Sequence, residues 1–147
     1  MSMIKFVIYG EAVPKARPKL VLNRYTNKPH LYTAEKTRNW EQCVLGQALK
    51  TKPDTLIDGP IGLMIAVYKK IPKSWSKKKA ALAASNTIRP TGRPDLSNYI
   101  KSIEDALNGL YWADDGAVVE YLQGTGKYFS LDPHVDIEVH YDTEHTN

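Results

Sequence analysis

The 147 residues predict a single compact α+β domain, with one mixed β-sheet packed by helices. Three observations lead there. Apolar residues alternate with period two in strand-like segments and recur with helical period in others. These segments follow one another in the order β-α-β-α-α-β-β. No internal repeat or low-complexity linker divides them, and the length suits one core rather than two.

Met3–Tyr9 reads as the first strand, with Ile4, Phe6 and Ile8 on one face. The stretch VPKARPKLVLNRYTNKPHLYT follows, and its three prolines exclude a helix. Thr33 is placed to cap a helix over roughly 34–50, where Glu35 suits the first turn and Trp40, Val44 and Ala48 form an apolar seam. Asp58-Gly59-Pro60 is a turn, and Ile61–Tyr68 is an apolar run of the buried-strand type. Ser74 or Ser76 starts a short helix through Ala80–Ala84, beginning at the triplet Lys77-Lys78-Lys79. Asp95 to Asn108 is a helix closed by Gly109 in a C-cap role. Val118–Leu122 and Val135–Tyr141 are the last strands, the latter alternating Val135, Ile137 and Val139 against Asp136, Glu138 and His140.

Composition narrows the function classes. No apolar run approaches the roughly 20 residues that span a bilayer, so no membrane association is expected. The opening MSMIKFVIYGEAV alternates like a strand and lacks the apolar core of a signal peptide, which makes a cytoplasmic location the default. One cysteine, Cys43, builds neither a disulfide framework nor a multi-cysteine zinc site. The histidines at 30, 134, 140 and 145 show no ligand spacing. Trp75 and Trp112 read as core.

The net charge of +4 conceals a segregation. Residues 1–93 hold 18 Lys and Arg against five Asp and Glu, whereas residues 94–147 hold two against 11. Such a chain either pairs its halves internally or presents a basic surface beside a concentrated acidic spot.

The acidic spot falls on the helix from Asp95. Leu96, Tyr99, Ile100, Ile103, Ala106 and Leu107 share one arc, and Ser97, Lys101, Glu104, Asp105 and Asn108 share another. Taken singly, each polar feature has an ordinary reading. Asp95 could simply cap the helix, Lys101 and Asp105 could form a surface pair four residues apart, and Asp114-Asp115 could sit in a turn.

Their joint pattern is more specific. The run RPDLSNYIKSIEDALNGLYWADDGAVVEY closely resembles the signature of RusA-like Holliday junction resolvases, which reads D-x-D-N-x-x-K-x-x-x-D-A-L, an aromatic-rich turn, then D-D-x-x-V. Asp95, Asn98, Lys101, Asp105-Ala106-Leu107 and Asp114-Asp115 match in order. Pro14-Lys15-Ala16-Arg17-Pro18, Tyr32-Thr33, Trp40 and the Pro72–Lys78 segment are similar to features of members from prophage-like settings. The resemblance runs from about residue 5 to residue 125.

The resemblance implies a homodimeric Mg²⁺-dependent endonuclease, with Mn²⁺ as a possible substitute and no nucleotide cofactor. It would resolve four-way branched DNA by paired nicks in recombination and repair. The family's metal carboxylates map onto Asp95 and Asp115, with Asp114 adjacent, and its catalytic lysine onto Lys101. Its second motif aspartate maps onto Ser97, a neutral and weaker ligand for a hard cation. Either fewer charges hold the metal, or Asp105 or Asp114 assists, or the chain is a weakened branched-DNA binder of the same fold. The expected phosphate contacts are Lys15, Arg17, Lys19, Arg24, Lys77, Lys78 and Arg93, none of which needs to read sequence.

Overall fold

The computed structural model describes residues 1–15, 19–22, 25, 29–32 and 35–142, with 19–22 and 29–32 described by their backbone alone. The strands are β1 (Ser2–Tyr9), β2 (Lys19–Leu22), β3 (Pro29–Tyr32), β4 (Ile61–Lys70), β5 (Val118–Tyr121), β6 (Gly126–Ser130) and β7 (His134–Tyr141); the helices are α1 (Glu35–Ala48), α2 (Lys77–Ala84) and α3 (Leu96–Leu107).

The main sheet is mixed and built around β4. Antiparallel β7 separates β4 from β1 on one side. On the other side β5 and β6 lie end to end, both parallel to β4, against Ile61–Leu63 and Ala66–Lys70 respectively. The break between them turns at Gly124, whose φ is +105°. Thr125 bridges it, receiving a hydrogen bond from the Ile65 backbone N–H at 3.2 Å. With partners on both edges and cover on both faces, Ile61–Val67 is buried throughout. An uninterrupted apolar sequence is what such a position demands.

One core joins sheet and helices. Ile8, Ile61, Leu63, Ile65, Val67, Val135, Ile137 and Val139 contribute from the strands, Trp40 and Val44 from α1, and Tyr99, Ile103 and Leu107 from α3. Burying apolar area at about 25 cal/mol per Å² makes this cluster the main source of stability. Ser76 caps α2, its hydroxyl accepting from the Lys79 N–H at 3.2 Å.

The seven anticipated elements are all present, within two residues at the ends compared. Two features of the chain exceed the expectation. The proline-containing stretch before α1 includes the antiparallel pair β2–β3, and β6 lies between the last two anticipated strands. The proposed cap Thr33 lies outside the described residues.

Candidate active site

Helix α3 and the turn after it place the polar groups. Asp95 holds the N-cap position, and its carbonyl accepts from the Asn98 and Tyr99 N–H groups at 3.1 and 3.4 Å. Its carboxylate makes no capping bond and is exposed. The ordinary task of an N-cap aspartate is therefore not performed by this side chain, which stays available for another. Ser97 and Asn98 are exposed on the next turn.

At the other end, Gly109 takes φ +85° and its N–H bonds the Trp112 carbonyl at 2.7 Å. A residue with a Cβ would be strained in this conformation. The tight turn buries Tyr111 and Trp112 completely. Trp112 then donates from Nε1 to Asp115 Oδ1 at 3.2 Å, fixing that carboxylate relative to the core. Asp114, by contrast, is exposed.

Between these ends runs a chain of alternating charges. Lys101 Nζ lies 3.0 Å from Asp105 Oδ1 and 3.3 Å from Asp115 Oδ2. Lys15 Nζ lies 3.1 Å from Asp105 Oδ2 and 2.7 Å from Glu41 Oε1 of α1. The Lys15 backbone N–H also bonds the Asn98 carbonyl at 2.9 Å, docking the segment after β1 onto α3. The Asp105 and Asp115 partners raise the pKa of Lys101, the Asp105 hydrogen bond most. Burial works against the charge on Lys15, yet its carboxylate partners still raise it. Both lysines are thus firmly cationic. Pairs this exposed are worth little individually, so their importance is in placement rather than stability.

Beneath this chain lies Glu104, only 7% exposed. The Tyr121 hydroxyl of β5 donates to its Oε1 at 2.8 Å. Burial pushes the Glu104 carboxyl up, and burial together with this bond pushes Tyr121 up to about 12. Glu104 belongs to the polar arc of α3 with Ser97, Lys101, Asp105 and Asn108, yet it is buried. The helix wheel alone cannot show that β5 covers this edge of the arc.

The remaining expected residues divide by location. Lys77 and Lys78 are exposed at the start of α2, and Arg93 is exposed just ahead of Asp95. Lys19 lies in β2, and Arg17 and Arg24 fall outside the described residues. Trp112 is core as expected, whereas Trp75 is only partly buried.

Among the described residues, no group of three or more His, Cys, Asp or Glu is placed to hold a metal. The side chains around the α3 start and the following turn offer oxygen donors, the chemistry a hard cation prefers. Magnesium needs only one or two protein carboxylates when waters and substrate phosphate complete its shell. Asp95, whose exposed carboxylate has no partner among the described residues, and Asp115, bonded by Trp112, are carboxylates of the kind such a shell would use.

The profile of the family described as Endodeoxyribonuclease RusA matches residues 10–140. The Bacillus subtilis (strain 168) protein named "Uncharacterized protein YqaN" is 37% identical over 141 residues, covering 95% of this chain and 96% of that protein. Both matches span α3, the following turn and the strands that support them.

Proposed function

Because the chain belongs to the RusA endodeoxyribonuclease family, we propose that it is a Mg²⁺-dependent, structure-selective endodeoxyribonuclease that resolves four-way DNA junctions by paired nicks. The observation that supports this reading best is the Lys101 ammonium held 3.3 Å from Asp115, on the helix that Asp95 opens with a free carboxylate. Phosphodiester hydrolysis needs negative charge stabilised at the phosphate and a water made nucleophilic.

In this reading Asp95 and Asp115 hold the cation, with Asp114 and Ser97 at its margin. Bound magnesium supplies Lewis acidity and water activation. Lys101 offers a fixed positive charge to the developing anion or the leaving oxygen. Asp105 anchors Lys101 from one side while Lys15 ties Asp105 to α1, so the ammonium is restrained before substrate arrives. Exposed Lys77, Lys78 and Arg93 serve the phosphate backbone, with Lys19, Arg17 and Arg24 from the basic stretch, whereas Lys15, paired with Glu41 and Asp105, braces the site. Two copies related by a two-fold axis would present two such sites to a symmetric junction.

Ser97 supports a second reading, a branched-DNA binder with weakened cutting, since a hydroxyl replaces a carboxylate beside the metal. Incubating a labelled four-way junction and a linear duplex with the protein, with Mg²⁺ or with chelator, distinguishes the two. Junction-selective nicking that requires Mg²⁺ is expected; junction binding without nicking at any Mg²⁺ concentration favours the second reading.

A further inference from the structure

A groove of about 450 Å³ lies between the end of β4, α2 and the loop that enters α3. Its lining includes the cationic side chains Lys69, Lys70, Lys79, Arg89 and Arg93, and among the described residues no carboxylate lines it. In a chain of net charge only +4, five cations with no ion-pair partner among the described residues form a local field suited to a polyanion.

Two of the cations are held in place. Lys79 Nζ sits 4.1 Å from the centre of the Trp75 ring, and Trp75 meets Phe129 of β6 edge-on at 5.1 Å. The Arg89 guanidinium lies 4.1 Å from the Tyr128 ring, and its Nε donates to the Lys127 carbonyl at 2.8 Å. Gly126 makes room for it, since a Cβ there would stand 2.6 Å from Arg89 Nη2. Cation–π contacts and a backbone bond reduce the freedom these side chains would lose on binding.

The groove also leads to the candidate active site. Its lining runs through Arg89 to Arg93, two residues before Asp95. Lys127 Nζ fastens that loop by bonding the Gly92 and Pro94 carbonyls at 2.8 and 3.0 Å. The groove's lining therefore ends two residues before Asp95, whose carboxylate has no partner among the described residues.

We infer that this groove seats the phosphodiester backbone of the DNA strand whose phosphate lies at Asp95 and Asp115. The inference rests on the proposed nuclease reading and names the surface and strand that reading leaves open. Trp75 and Tyr128 act as supports that aim Lys79 and Arg89, rather than as base-stacking platforms.

The test compares two variants of equal net charge, binding a labelled four-way junction without Mg²⁺. One combines Lys69→Gln, Lys70→Gln and Lys79→Gln; the other combines Lys36→Gln, Lys50→Gln and Lys52→Gln, which are exposed and outside the groove. The groove variant should lose about tenfold or more in affinity, and its log–log salt slope should shrink by about 0.9 per lost phosphate contact. The control should stay within about twofold of wild type. A thermal melt checks both folds, and Lys79→Gln alone, on the exposed face of α2, keeps the comparison valid if the triple variant is unstable.

Neutral methylphosphonates in the cut strand, beside the scissile phosphate, should weaken wild-type binding and leave the groove variant unaffected. Wild-type protein that binds and cuts while both triple variants bind alike overturns the groove assignment alone, as would a groove serving an acidic protein. Sensitivity to methylphosphonates only in the uncut strand also overturns it. Wild-type protein that binds no DNA overturns the nuclease reading with it.

Discussion

Lys101 of α3 and Asp115, fourteen residues later, meet at 3.3 Å between Nζ and Oδ2, while Trp112 holds the other Asp115 oxygen. The contact closes the helix and the following turn into one unit. It also shows Lys101 doing more than an i,i+4 pair with Asp105, because the same ammonium serves both carboxylates.

Lys101→Ala should therefore depress cutting far more than binding. The residue is one of 20 basic side chains, so its share of non-specific affinity is small. Loss of a charge aimed at the reacting phosphate should slow single-turnover cleavage by about a hundredfold or more. A large affinity loss with an unchanged single-turnover rate would make Lys101 a docking residue instead.

Lys15 should behave differently from the groove lysines. It is already paired with Glu41 and Asp105, so Lys15→Gln removes little uncompensated charge. Junction affinity should keep its salt slope within experimental error, while cleavage falls because Asp105 loses its tie to α1. A slope that drops by about 0.9 would instead count Lys15 as a direct phosphate contact.

Much of this was legible in the sequence. Period-two runs such as Val135–Tyr141 and the apolar arc of α3 located the strands and helices because burial imposes those spacings. The resemblance grouped Asp95, Lys101 and Asp115, and the turn at Gly109 brings Asp115 back onto Lys101. Glu104 was not legible as buried, because its cover comes from Tyr121 on a strand reached only in three dimensions. The short β6 was missed because Gly126–Ser130 lacks a clear apolar alternation and is specified by pairing with β4.

Tyr121→Phe should destabilise the fold modestly, by about 1–2 kcal/mol in urea unfolding. It leaves the mostly buried Glu104 without its hydrogen-bond donor. Glu104→Gln should cost less, since an amide keeps an acceptor for Tyr121 and burial already favours the uncharged carboxyl. Equal losses from both changes would show that the bond contributes little.

Ser97→Asp should lower the Mg²⁺ concentration needed for half-maximal cutting. The added carboxylate raises the charge offered with Asp95 and Asp115, and Ser97 is exposed in the first turn of α3, where an acid suits the helix dipole. Calorimetric titration with Mg²⁺ should show tighter binding to the folded variant. A raised Mg²⁺ requirement would mean that the site is organised around the hydroxyl, with Asp105 or Asp114 as a further ligand.

The nuclease reading stands most directly on Asp95 and Asp115. The measurement is cleavage and binding of one labelled four-way junction by wild type, Asp95→Asn and Asp115→Asn, with Mg²⁺ present. Wild type should introduce paired nicks, and each variant should lose cutting while binding the junction as tightly or more so, because a negative charge near phosphate has been removed. Either variant cutting at close to the wild-type rate would show that its carboxylate does not hold the metal.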